Sequence, residues 1–258
     1  MEQPGLPNPN TEGLDYTDLN SEFLRENYLF GIPLEDLYGN KMKESMLDHY
    51  IDSAIEMAQR AFQIKIKPVE VVDEVHDYYS SDFTQWAFMQ LHQRPIIEVT
   101  SLSMYFGDRK MFDIPKDWVR QYEVSGQIQL FPVTGSSGSL ILTQNGSFMP
   151  LMVGMYPNAP GIWRVSYRAG MDKLPADLVE YIMKRASIGI LQVWGDLIIG
   201  AGIANQTISL DGLSQSIGTT QSPQFSGSGA RVKNYTDDLK EIEKRLKDYY
   251  LGINLGVL

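Results

Sequence analysis

The chain has 258 residues, 43% hydrophobic and 21% charged, which is the composition of a folded globular protein and not of a disordered one. It contains no cysteine, so disulfides, thiolate metal sites and cysteine nucleophiles are excluded. Its 22 Lys and Arg against 32 Asp and Glu give a formal net charge of -10 with no basic cluster, which argues against gripping phosphates and so against direct DNA binding.

The opening MEQPGLPNPN has neither a basic n-region nor an apolar h-region, and no apolar run reaches the roughly 18 residues of a membrane span, so the expected setting is aqueous and reducing, with no membrane. Residues 1–40 are rich in Asn, Pro, Gly and acids, with apolar pairs such as Phe23-Leu24 and Leu29-Phe30. They read as an extended N-terminal arm with room for a short helix at Leu19 to Tyr28. From Lys41 the pattern changes. Met46, Leu47, Tyr50, Ile51, Ala54, Ile55, Ala58 and Phe62 recur at spacings that make one apolar face, predicting a helix over 41–63.

Residues 64–170 read as short strands. Ile64, Ile66, Val69 and Val71 alternate with polar neighbours, as do Leu102, Met104 and Phe106. Turn signals at Gly107-Asp108, Ser125-Gly126, Gly135 to Gly138, Asn145-Gly146 and Asn158 to Gly161 separate the runs QYEV, QIQLFPV, SLILT and IWRVSYR. Strands at such spacing predict antiparallel pairing in a small sheet or sandwich.

The helical period returns over 174–200, with Pro175 and Asp177 in the positions favoured at a helix start. The second half of that segment is apolar on nearly every face, which predicts burial. Residues 212–229 have the Gly, Ser, Thr and Gln content of a flexible loop. A last helix is predicted over 234–251, where Tyr235, Leu239, Ile242, Leu246 and Tyr249 form a seam between charged positions. The tail 252–258 is uncharged and apolar, and an apolar terminus needs a partner.

Chemistry is sparse at the level of motifs. The three histidines, His49, His76 and His92, have no metal-ligand spacing and each reads as an ordinary polar residue. Gly135 to Gly138 lacks the strand-to-helix setting of a nucleophile elbow, and Gly200-Ala201-Gly202 has Asn205 where a dinucleotide fingerprint needs its third glycine. Asp73, Glu74 and Asp77 hold the carboxylates that an acid-pair hydrolase would use. Asp237, Asp238, Glu241 and Glu243 read as salt-bridging residues on an outer helix face. The aromatics Tyr78, Tyr79, Phe83, Trp86 and Phe88 fit strand packing, a protein interface or a carbohydrate-stacking surface.

The order of elements resembles that of tailed-bacteriophage head-to-tail connector proteins, also called adaptor, head-completion or neck proteins. The segments that carry the resemblance are KMKESMLDHYIDSAIEMAQRAF, RPIIEVTSLSMYFGD, LPADLVEYIMKRASIGILQVWGD and the glycine-rich approach to KNYTDDLKEIEKRLKDYY, within residues 41–258. Pro95-Ile96-Ile97-Glu98-Val99 leading into a strand and Leu174-Pro175-Ala176-Asp177-Leu178 opening a helix are its most specific parts.

What the resemblance implies is an α+β fold, a helical connector core of three main helices with an inserted antiparallel β-rich region. It implies a non-enzymatic virion protein, made in the bacterial host cytoplasm and located in the head-tail neck. Such proteins form a homo-oligomeric ring, commonly of about twelve subunits, between the portal protein and a tail-side neck protein, with DNA passing through the lumen without specific binding. Neither catalytic residues nor metal or cofactor ligands are implied. Tyr249, Tyr250, Leu251, Ile253, Leu255, Val257 and Leu258 are expected to dock on the portal or on a neighbouring subunit. A carbohydrate-binding or adhesin module is the alternative reading, and an acid-pair hydrolase the third.

Overall fold

The computed structural model describes residues 13–36, 38–79, 88–130, 158–199, 205–210, 213–218 and 229–252. The fold is α+β, and the chain divides into two compact units. The helical unit takes the residues up to Gln63 and resumes at Lys173, and the β unit takes Ile64–Asp172. Among the described residues no helix is long and apolar enough to cross a membrane.

The helical unit is built on α2 (Glu44–Phe62), α3 (Ala176–Ile199) and α4 (Gly229–Leu251), which pack on one another. Their sequence patterns explain the packing. The i, i+3, i+4 set of α2 delivers Leu47, Ile51, Ala54, Ile55, Ala58 and Phe62 to the interior, where each large side chain contributes about 1.5–3 kcal/mol. Helix α3 buries Leu178, Ile182, Met183, Ile190 and Leu191, and α4 buries Val232, Leu239, Ile242, Leu246 and Tyr250. The apolar run of α3 does not bury every face, because Val193 is exposed.

Two parts of the helical unit depart from the sequence expectation. The short helix expected at Leu19 to Tyr28 is present as α1 (Ser21–Asn27), but the described residues before Asn40 are not an extended arm, since strand β1 (Leu14–Asp15) and a 3-10 turn precede that helix. Strand β1 pairs antiparallel with β9 (Lys173–Leu174), and the Asn20 side chain caps α1 by accepting the Phe23 N–H at 2.9 Å. Leu19, Leu24 and Leu29, which look scattered in sequence, are each buried in this unit. The Tyr235 hydroxyl donates to the Tyr28 carbonyl at 2.8 Å and Arg231 to the Phe30 carbonyl at 3.1 Å, so α4 holds the segment down. The second departure lies at Leu213–Gly218, expected to be loop. It forms β11, paired antiparallel with β10 (Asn205–Leu210) in a register that sets Leu210 opposite Leu213. The two strands are separated by Asp211-Gly212, a dipeptide that favours two-residue hairpins, and this local signal outweighs the Gly/Ser-rich composition.

Lys184 is the one charged side chain buried in the described part of this unit, and it makes two ion pairs, to Glu180 at 2.6 Å and to Asp238 at 2.5 Å. Burial pulls its pKa down, but the hydrogen bonds to Asp238 and Glu180 outweigh that and hold it above the ordinary lysine value. A raised folded-state pKa contributes stability that is fully present below the unfolded value and is lost as pH rises through the folded one. Lys184→Met is therefore expected to lower stability by about 1–3 kcal/mol at neutral pH. The gap between the two proteins' urea midpoints should narrow only above the ordinary lysine value of 10.5.

The β unit contains a four-stranded antiparallel sheet in the order β2-β8-β4-β5 and a three-stranded one in the order β3-β7-β6. The first comprises β2 (Val69–Tyr79), β8 (Asn158–Ala169), β4 (Ile96–Phe106) and β5 (Arg109–Asp113). The second comprises β3 (Phe88–Gln90), β7 (Gln127–Leu130) and β6 (Val119–Tyr122). Both contribute to one core, in which Tyr78, Trp163, Val165, Tyr167, Leu102 and Met104 meet Ile128 and Leu130. The turns expected at Gly107-Asp108 and at Ser125-Gly126 are present, with Gly107 and Gly126 at positive φ. The run SLILT and the turns at Gly135 to Gly138 and Asn145-Gly146 lie outside the described residues.

Candidate functional site

Strand β2 does not keep the alternation that its sequence suggests. Val71 pairs with Tyr167 and Glu74 with Val165, so β2 carries one residue more than β8 between these pairs. This is a β-bulge, and an extra residue reverses which side chains face the core. Asp73 takes the left-handed conformation at φ 53°, which aspartate tolerates better than most residues, and its N–H donates to the Ser166 hydroxyl at 3.1 Å. Beyond the bulge Glu74, His76 and Tyr78 occupy the inner row opposite Val165 and Trp163, while Val75 and Tyr79 turn outward, 51% and 46% exposed.

The bulge thus places a carboxylate and an imidazole at the margin of an apolar core. Glu74 and His76 keep only 8% and 11% of their side-chain exposure. One Glu74 oxygen, Oε1, lies 2.7 Å from His76 Nε2 and accepts the His92 backbone N–H at 3.0 Å. The other, Oε2, accepts the Tyr167 hydroxyl at 2.7 Å. Tyr167 in turn accepts the Gln93 N–H at 3.0 Å. Burial raises the Glu74 pKa, and the donors from His92, Tyr167 and His76 more than offset it, so the carboxyl lies below its usual value. Burial and the bond to Glu74 raise the Tyr167 phenol, which stays protonated and keeps donating.

His92 belongs to the segment between β3 and β4. Its ring lies 5.1 Å from that of His76, with Nδ1 3.5 Å from Glu74 Oε1 and the side chain 68% exposed. Glu74, His76 and His92 each place one ligand-capable atom within 4.8 Å of the others. Sequence spacing gave no metal pair because His92 is distant in the chain and Glu74 is out of phase without the bulge. The signal that was available is the adjacent pair Val71-Val72, which breaks the alternation.

The other candidate residues fall elsewhere. Tyr250 is 3% exposed, its ring 6.3 Å from that of Phe62, and burial raises its hydroxyl pKa. It belongs to the core of the helical unit and not to a docking surface, because the seam of α4 extends one residue past Tyr249. Tyr249 stands edge-on to it at 4.8 Å, and Leu251 is exposed. Ile253, Leu255, Val257 and Leu258 lie outside the described residues. The acids of β2 separate. Glu74 faces inward, while Asp77 on the exposed row accepts the Gly161 N–H at 2.8 Å. Tyr78 is fully buried and presents no stacking surface. On α4, Asp238 pairs with Lys184, Asp237 with Lys240 at 2.8 Å and Glu243 with Lys247 at 2.6 Å.

No family model matches the chain, and no curated protein does. Solved structures with a similar course include a chain from the neck of an empty gene transfer agent (GTA) particle computed with C6 symmetry, 16% identical over 60% of this chain and 71% of that one, TM-score 0.36. A chain from the neck of the native GTA particle computed with C12 symmetry is 15% identical over 56% and 69%, TM-score 0.36. A chain from the virion of the native gene transfer agent particle is 14% identical over 69% and 80%, TM-score 0.40.

Proposed function

We propose that the chain is a structural, non-enzymatic protein of a phage-like virion. Within that class it is the subunit of a ring adaptor in the head-tail neck, joining the portal to the tail-side neck protein and lining part of the DNA channel. The observation that carries this reading is the convergence of the helical segments that resemble connector proteins. They are separated in sequence by the β insertion, yet α2, α3 and α4 pack as one unit. The net charge of -10 suits a channel wall, since like charge keeps DNA from adhering. Exposed Leu251, with Ile253, Leu255, Val257 and Leu258 after it, supplies an apolar stretch for docking on the portal.

The purified protein, alone and mixed with the portal of its own particle, is to be measured by light scattering and negative-stain imaging. Closed rings of about twelve subunits, or monomers that join into rings on the portal, are expected. Deleting residues 252–258 should abolish attachment while circular dichroism shows the helices intact, since Leu246 and Tyr250 remain. A protein that stays monomeric and ignores the portal would overturn the adaptor reading.

A further inference from the structure

We propose that Glu74, His76 and His92 bind a divalent transition-metal ion of the zinc class, a site that is independent of the adaptor reading. The first argument is the placement of the groups. The bulge at Asp73 turns Glu74 and His76 inward, where they keep 8% and 11% of their side-chain exposure. Buried carboxylates are held by hydrogen bonds or by metals, and Glu74 Oε1 stands beside a ring nitrogen of each histidine, His76 Nε2 and His92 Nδ1.

The second argument is the donor set. Two imidazole nitrogens and one carboxylate oxygen, with no thiolate, is the ligand type that suits zinc and its neighbours, and three protein ligands with a water make a common tetrahedral site. Ligands about 2.0–2.1 Å from such an ion stand about 3.3 Å from one another. The observed separations from Glu74 Oε1, 2.7 Å to His76 Nε2 and 3.5 Å to His92 Nδ1, bracket that value.

The third argument is the supporting shell. Tyr167 holds Glu74 Oε2 and leaves Oε1 turned to the two rings, as outer hydrogen bonds do for metal-bound carboxylates. Exposed His92 gives the ion a path from solvent and leaves a position for water. Bound there, the metal ties the segment carrying His92 to β2.

Zinc chloride is titrated into the full-length protein by calorimetry, with magnesium chloride as the comparison, and thermal unfolding is followed with and without zinc. One zinc per chain with micromolar affinity, a raised Tm and no response to magnesium is expected. His92→Ala, which removes an exposed ring and leaves the fold alone, should weaken binding at least about 100-fold. Tyr167→Phe should weaken it about 10-fold, while His49→Ala in α2 changes nothing. Absence of zinc binding in the unaltered protein overturns the proposal, and so does binding that His92→Ala leaves intact.

Discussion

Trp163→Ala is expected to destabilise the β unit by about 3–5 kcal/mol, a large share of the total stability of an ordinary domain. Trp163 is fully buried on β8, the strand flanked by β2 and β4, and stands in register with His76 on one side and Met104 on the other. Removing the indole leaves a cavity that strands hydrogen-bonded on both sides cannot close, so the transfer and cavity contributions add. The check is a urea unfolding curve read by far-UV circular dichroism, with hydrogen exchange resolved by segment. The amides of β8 and β4 should lose protection first. Trp163→Phe, which keeps most of the volume, should lose distinctly less, and a cost for alanine below about 1 kcal/mol would contradict a close-packed core here.

Gly170→Ala is the second large effect, expected to cost about 3 kcal/mol or more. Gly170 follows β8 at φ +121°, where a side chain is strained, and a Cβ added there would stand 2.7 Å from Pro68 Cα and 2.9 Å from the Lys67 carbonyl oxygen. Both are backbone atoms, which cannot move aside as the end of a side chain can, so strain and overpacking combine. The Gly170 N–H also donates to the Pro95 carbonyl at 2.9 Å, so a shift of the backbone would loosen that contact too. Gly107 provides the comparison. It has φ +61° in open space at the β4–β5 turn, so Gly107→Ala should cost only about 1–2 kcal/mol. Equal losses at the two positions, measured by the same unfolding curves, would show that the close approach to Pro68 has no energetic weight.

Much of the helical unit was legible because a helix advertises its buried face locally. The spacing of Leu47, Ile51, Ala54, Ile55, Ala58 and Phe62 requires no knowledge of the partner, and the structure starts and ends α2 within three residues of the expected bounds. Leu19, Leu24 and Leu29 were not legible in this way. They recur every five residues across a turn, a helix and a loop, and only the tertiary packing of the segment, with α1 on α2 and the Tyr28 carbonyl bonded to Tyr235, buries them. The burial of Tyr250 is not legible either, because sequence does not say how far along α4 the core extends, and it is the Phe62 ring of α2 that Tyr250 meets.

Local sequence is enough for the mixture of helices and antiparallel strands, the places of α2, α3 and α4, the turns at Gly107 and Gly126, and the absence of thiol chemistry. Those properties are set by neighbours within a few residues, through periodicity and turn chemistry. The phase of β2 beyond Val71 was decided by tertiary structure. One extra residue, held by Asp73 against Ser166 of β8, exchanges the inner and outer rows of the strand. Pairing with a strand 93 positions away selects that register, and it is the register that brings Glu74, His76 and His92 together.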